Sequence, residues 1–187
     1  MFKRRFFYIV KNKVILNSKE LSIIIDRLCY ELIENHFDFS NTILIGLQPR
    51  GVLFANKIFS KLNTITNKKI KYGELDTTFF RDDFRRRKGI LTPHETNIDF
   101  NIENRRVVII DDVLYTGRTI RSALDALGSF GRAQSIELLV LINRRFSREI
   151  PIEPKYVGKS IDVFEKEHVI VNWGLNEKEN NVLLLNN

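Results

Sequence analysis

The residues best able to do chemistry in this chain sit together in the stretch VVIIDDVLYTGRTIRSAL, residues 107–124. Four β-branched residues run into two adjacent acids, Asp111 and Asp112. Val113, Leu114 and Tyr115 follow, then the tight loop Thr116, Gly117, Arg118 and Thr119, after which the apolar spacing turns helical. A glycine lets the backbone curl so that successive N–H groups point one way, and a helix beginning just beyond adds its positive end. Such a loop binds phosphate, with the threonine hydroxyls as extra donors. Carboxylates repel phosphate, so the acid pair needs its own account. It is either a helix-capping, solvated pair or a set of acceptors for a vicinal diol, as an acidic residue is for ribose in dinucleotide-binding folds. A ligand carrying both a diol and a phosphate is a ribose phosphate. No GxxxxGK[ST] pattern occurs, which argues against a Walker-type ATPase.

The elements that must hold these residues are legible at low resolution. Residues 6–16 read as an extended start, and Ser18 as the N-cap of a long helix carrying Leu21, Ile24, Ile25, Leu28, Leu32 and His36 at helical spacing. TILIGL is a short buried strand. QPRG then turns the chain into a helix over about 52–62, and residues 69–80 alternate loosely as a strand. Residues 81–101 are polar and aperiodic, a long loop of the kind that is usually functional. The central strand covers 106–110; Ile120, Ala123, Leu124, Leu127 and Phe130 mark a helix, and residues 135–142 another buried strand. HVIVNW and NVLLL close the chain as two more. Alternating strands and helices predict an α/β fold, a mainly parallel sheet flanked by helices. Ligands in such sheets bind beyond the carboxyl ends of the strands. QPRG, DDVLYTGRT and NRRFSRE fall there, and each carries arginine.

Bulk properties set outer limits. The 187 residues suit one domain, and 43% hydrophobic content supports a core. A net charge of +7 suits anionic ligands or nucleic acid. The single cysteine, Cys29, excludes an internal disulfide framework and fits a reducing cytoplasm, where it reads as a small core filler. FFYIV near the start is too short for a signal-peptide core, and no run reaches membrane-spanning length. His36, His94 and His168 lack metal-ligand spacing, so no protein metal ligand is assigned.

VVIIDDVLYTGRT resembles the signature of the type I phosphoribosyltransferases: four apolar residues, two acids, spacers, then Thr-Gly and a small or basic pair. IGLQPRG, YGELDTTFFRDD, DDVLYTGRT and REIPIEPKYVGK, in that order, resemble the PyrR family, pyrimidine-operon attenuation regulators that are also uracil phosphoribosyltransferases; the likeness covers about residues 44–173. It implies one phosphoribosyltransferase domain over 1–187, with a flexible active-site loop at about 81–101. C-terminal strands at about 168–186 would complete a small base-binding hood. Implied ligands are phosphoribosyl pyrophosphate (PRPP), uracil, UMP and pyrophosphate, with substrate-bound Mg²⁺. Implied partners are pyrimidine leader RNA and further copies of the chain.

The resemblance assigns roles by position. Asp111 and Asp112 hold the ribose hydroxyls and, with Arg50, form the catalytic set. Val113, Leu114 and Tyr115 belong to the PRPP-binding signature, and Thr116, Gly117, Arg118 and Thr119 cradle the 5′-phosphate. Pro49, Arg50 and Gly51 form the pyrophosphate loop, where an arginine gives a bidentate grip. Arg81, Asp82 and Asp83 open the flexible loop; the RRRK that follows is either a positive field or a solvated face. Purine-using relatives carry an aspartate where Tyr115 stands, which favours a pyrimidine. Asn143, whose amide both donates and accepts, and Arg144 fall at the base pocket. Tyr156 and Val157 match base-stacking positions, although Tyr156 reads equally as a core aromatic. Better-known family members read DRGHRELP where this chain reads NRRFSREIP: Asn143 replaces the acid, Arg145 the glycine, one residue is added and the histidine is gone. The reading is an enzyme making UMP that also regulates pyrimidine genes by RNA attenuation in response to UMP; the alternatives are an RNA-binding regulator that keeps the pocket only as a UMP sensor, or a phosphoribosyltransferase for another base.

Overall fold

Asn17, not Ser18, caps the first helix. Its Oδ1 accepts the backbone N–H groups of Lys19 and Glu20, each at 3.0 Å, while Glu20 Oε2 accepts the Asn17 N–H at 2.8 Å. This is a reciprocal capping box, and it displaces Ser18 to the first helical position because an acid three residues on completes the pair only from Asn17. The computed structural model describes residues 12–81, 94–163 and 167–186. Within these, β1 (Lys13–Leu16) leads to α1 (Ser18–His36), β2 (Thr42–Leu47), α2 (Gly51–Thr66), β3 (Lys71–Leu75), β4 (Arg106–Leu114), α3 (Arg118–Leu127), β5 (Ser135–Arg145), β6 (Tyr156–Asp162), β7 (Glu167–Asn172) and β8 (Asn181–Asn186).

Five strands form a parallel sheet in the order β3-β2-β4-β5-β6, and β1, β8 and β7 form a separate antiparallel sheet. Side chains alternate across the parallel sheet. Leu44, Val108, Ile110, Leu139 and Leu141 pack with Leu28, Leu32, Phe54, Ile58 and Leu62 of α1 and α2. Ile43, Ile45, Val107, Ile109 and Val140 pack with Ile120, Ala123 and Leu127 of α3. Burial on both faces explains why these strands read as unbroken apolar runs. Parallel pairing also puts the loops after β2, β4 and β5 at one edge. Among the described residues no helix is long and apolar enough to cross a membrane.

Three strands differ from the sequence reading. The strand expected over 69–80 stops at Leu75, because Asp76 turns the chain: its Oδ1 accepts Thr78 N–H at 2.9 Å and Thr78 Oγ1 at 2.6 Å, and a 3₁₀ turn covers Thr78–Phe80. Asp76 Oδ2 also accepts the His94 N–H at 2.8 Å, so one carboxylate ties both feet of the segment between. Asp82, Asp83 and the RRRK cluster lie outside the described residues. The central strand runs past Ile110 to Leu114, because β5 continues to pair with it through Leu114↔Asn143; the acid pair thus sits within a strand. Residues 156–162, not read as a strand, form the edge strand β6.

That placement corrects the reading of Tyr156 as a base-stacking residue. Tyr156 starts β6 and is 2% exposed. Its hydroxyl donates to Glu137 Oε2 at 2.8 Å and lies 3.1 Å from His36 Nε2, while Thr42 Oγ1 lies 3.0 Å from His36 Nδ1. Val157 is likewise committed elsewhere, its carbonyl accepting from Arg27 Nη2 at 2.8 Å. Tyr156→Phe should therefore destabilise the fold by about 1–3 kcal/mol, the cost of removing one partner from a buried network, and leave steady-state kinetics unchanged. Parallel thermal melts and assays test this; a kinetic loss without a stability loss would return Tyr156 to the ligand.

Candidate active site

Three loops at the carboxyl edge build one cavity of about 600 Å³, walled by Gln48, Pro49, Arg50, Arg81, residues 111–120, Arg144 and Val169. The first loop follows β2 through a cis Gln48–Pro49 bond. Gln48 N–H donates to the Leu75 carbonyl at 2.9 Å, and Gln48 Nε2 to Glu74 Oε2 at 2.8 Å. Glu74 Oε1 in turn accepts from the Tyr72 hydroxyl at 3.2 Å. The loop that presents Arg50 is thus stitched to β3. Gly51 then lets α2 start directly against β4: a Cβ there would lie 2.8 Å from Asp111 Oδ1 and 2.9 Å from the Ile110 carbonyl oxygen.

The acids of β4 are both buried, Asp111 at 9% and Asp112 at 7% exposure. The Asp112 N–H donates to Asp111 Oδ1 at 2.9 Å. Burial, and then the facing Asp112 carboxylate, push Asp111 well above the ordinary carboxylate range, against a smaller pull from Arg81. Burial raises Asp112 too, opposed chiefly by the Arg50 guanidinium. The pair is held ready for partners that supply hydrogen-bond donors or positive charge.

Past the strand, Gly117 takes φ 91° and α3 begins at Arg118. A side chain at that φ would be strained. Thr116 Oγ1 accepts the Arg118 N–H at 3.4 Å, and Arg81 Nη1 donates to Thr119 Oγ1 at 3.1 Å. The cradle is braced from behind: the Thr116 carbonyl accepts N–H groups from Glu149 at 3.0 Å and Ile150 at 3.2 Å, and Arg118 Nε pairs with Glu149 Oε2 at 2.6 Å.

The third loop departs from the sequence reading. Arg148 Nη2 donates to Asn143 Oδ1 at 2.6 Å, and Arg148 Nη1 to the Tyr115 carbonyl. Asn143 is therefore taken up in bracing and does not wall the cavity. Arg144 does, with its guanidinium carbon 3.9 Å above the Tyr115 ring. The structure thus brings together Pro49, Arg50, Arg81, Asp111, Asp112, Val113, Leu114, Tyr115, Thr116, Gly117, Arg118, Thr119 and Arg144, with Gly51 in contact behind Asp111. It leaves Asn143, Tyr156 and Val157 outside. Gln48 was missed although it lies inside IGLQPRG. Val169 was missed because it arrives from the second sheet, with no local signal.

A phosphoribosyl transferase domain family model matches residues 11–179. The bifunctional protein PyrR of Elusimicrobium minutum is 41% identical over 174 residues, spanning 92% of this chain and 96% of that protein. The bifunctional protein PyrR of Streptococcus mutans is 39% identical over 176 residues, spanning 94% and 97%. Among solved structures, the hypoxanthine phosphoribosyltransferase of Trypanosoma cruzi superposes with a TM-score of 0.70 at 16% identity, covering 93% of this chain and 96% of that one. The Staphylococcus aureus hypoxanthine phosphoribosyltransferase gives 0.64 at 24%, covering 89% and 84%. At those identities the structural likeness speaks to the fold alone, which is the type I phosphoribosyltransferase fold. Sequence identity over nearly the whole chain carries the closer relationship: the chain belongs to the phosphoribosyltransferases and, within them, to the bifunctional PyrR family.

Proposed function

We propose that this protein transfers the phosphoribosyl group of PRPP to uracil, giving UMP and pyrophosphate, and that it regulates pyrimidine genes by binding leader RNA in response to UMP. The observation that carries the enzymatic reading is the convergence of the buried Asp111–Asp112 pair, the cradle of residues 116–119 and Arg50 on one cavity. A diol, a 5′-phosphate and a pyrophosphate on one sugar fit those three features.

Displacement at the ribose anomeric carbon passes through an oxocarbenium-like state, with negative charge growing on the departing pyrophosphate. The acids fix the ribose through its 2′- and 3′-hydroxyls, and their charge faces the cationic ring. The cradle anchors the far end of the sugar, so reacting atoms meet in a fixed orientation. Arg50 donates to pyrophosphate oxygens where charge develops. The donor set of adjacent carboxylate oxygens suits a hard cation that keeps water and substrate oxygens as ligands. Bound with the pyrophosphate, Mg²⁺ would neutralise charge on that leaving group. No covalent nucleophile is needed.

Arg50→Ala should lower kcat/KM for PRPP by about 10–100-fold, the worth of charge-assisted hydrogen bonds, while UMP affinity changes little. Equal losses for PRPP and UMP would remove Arg50 from the pyrophosphate. The net charge of +7 supports an RNA partner, whose binding should weaken steeply with salt. Dimers or larger assemblies in the cytoplasm complete the reading.

The deciding experiment is a Mg²⁺-dependent assay of the purified protein with PRPP and uracil, hypoxanthine, guanine or orotate. UMP from uracil alone is the expected result. UMP binding without product from any base would overturn the enzyme and leave a sensor.

A further inference from the structure

Asp76 does not wall the cavity, yet one of the walls hangs from it. It follows the end of β3 beside the pyrophosphate loop, where the Gln48 N–H donates to the Leu75 carbonyl at 2.9 Å. Its carboxylate is buried at 8% exposure. Oδ1 accepts the Thr78 N–H at 2.9 Å and the Thr78 hydroxyl at 2.6 Å, and Oδ2 accepts the His94 N–H at 2.8 Å. The Asp76 N–H donates to Thr96 Oγ1 at 3.1 Å. Burial alone would raise such a carboxyl; the Thr78 hydroxyl and the two N–H groups outweigh it and hold the group below its ordinary value. An ionised acceptor is thus built into the turn.

What the turn delivers is Arg81. The 3₁₀ turn Thr78–Phe80 is closed by the Phe80 N–H on the Thr77 carbonyl at 3.0 Å, packs against α3, and is followed at once by Arg81. Arg81 walls the cavity and donates through Nη1 to Thr119 Oγ1 at 3.1 Å. A threonine hydroxyl that accepts from one side keeps its own proton for another acceptor. Thr119 belongs to the cradle, so the phosphate is that acceptor. Arg81 also pulls the buried Asp111 carboxyl downward, so its positive charge is felt at the acid pair as well as at the cradle.

We propose that Asp76 is a positioning residue for the 5′-phosphate, acting through the Thr78 turn on Arg81 and through Arg81 on Thr119. This rests on the phosphoribosyl-transfer reading above and deepens it.

The 5′-phosphate is common to PRPP and UMP. A contact with it is made in substrate, transition state and product alike, so it lowers KM without raising kcat. That pattern separates Asp76 from Arg50, whose loss falls on PRPP and spares UMP. It also separates Asp76 from a residue that only supports the fold, whose removal lowers the amount of active protein and leaves KM alone.

D76A should raise KM for PRPP and Kd for UMP together, each by about 10-fold, with kcat little changed. That is the lower end for a charge-assisted hydrogen bond, because Asp76 acts at one remove. R81A should raise the same two constants. In the D76A/R81A double variant the losses should not multiply. Independent sites combine to within about 2-fold of the product, whereas here the double variant should match R81A. T78V removes only the hydroxyl bond to Oδ1 and keeps the side chain's shape. It should show the same pattern at smaller size, and it serves if D76A folds poorly. Losses that multiply, a fall in kcat with KM unchanged, or a weakening of PRPP that spares UMP would overturn the proposal while the transferase reading stood. A wild-type protein that binds UMP but makes none from uracil would sink that reading, and UMP binding by the same variants would still decide the role of Asp76.

Discussion

Gly51→Ala should abolish most of the activity and also destabilise the protein, although the same change at an ordinary helix start would help. Alanine in place of glycine favours a helix by about 1 kcal/mol. Here the new Cβ would lie 2.8 Å from Asp111 Oδ1, 2.9 Å from the Ile110 carbonyl oxygen and 3.0 Å from Asp111 Cα. Two of those three atoms are backbone of β4, which is paired with β2 on one side and β5 on the other. The strand has nowhere to go, so α2 must retreat and carry Arg50 and Pro49 with it. Overpacking of this kind costs about 1–3 kcal/mol, more than the helix gains. Displacing a positioned group by about 1 Å is worth roughly 100-fold in rate. The expected result is a fall of about that size in kcat/KM for PRPP, together with a lower thermal midpoint. Full activity with unchanged melting would mean that the α2–β4 contact has slack the structure does not show.

The convergence of the acid pair, the Thr-Gly loop and the arginine after β2 on one cavity was legible because each is carried by a short local pattern: apolar run, acids and Thr-Gly at fixed spacing, or Pro-Arg-Gly after a strand. The sheet was legible for the same reason, since strands buried on both faces leave apolar runs of strand length. Boundaries failed where side chains compete with periodicity. Asn17 outbid Ser18 because Glu20 completes its box, and Asp76 ended β3 by accepting from Thr78. The base end failed most, for a topological reason. Asn143 and Tyr156 have the right chemistry, but Asn143 is braced by Arg148 and Tyr156 belongs to a buried cluster with Glu137 and His36. Val169 comes from a sheet that joins the chain's two ends, β1 with β8 and β7. No spacing along the sequence announces a wall built in that way.

Asp111→Asn should make the ligand-free protein more stable at neutral pH while removing much of its activity. Burial and the neighbouring Asp112 hold the Asp111 carboxyl well above its ordinary value of 3.8. A carboxyl raised in the folded state favours folding fully below its unfolded value, and that contribution is lost as pH rises through the raised folded value. Above the unfolded value the native fold therefore holds this buried carboxyl beside Asp112 at a cost in stability. Asparagine keeps the shape and the acceptor for the Asp112 N–H, which donates to Oδ1 at 2.9 Å, and it removes the group that burial and Asp112 disfavour. A gain of about 1–2 kcal/mol, typical when a functional strain is relieved, should appear in melts near pH 7 and shrink toward pH 4. The loss of a charged acceptor for a ribose hydroxyl should lower kcat/KM for PRPP by about 10–100-fold. Melts from pH 4 to 8 alongside kinetics test both halves. A variant less stable than wild type at pH 7 would mean that the carboxylate is compensated within the protein rather than held for a ligand, and unchanged kinetics would take Asp111 off the ribose.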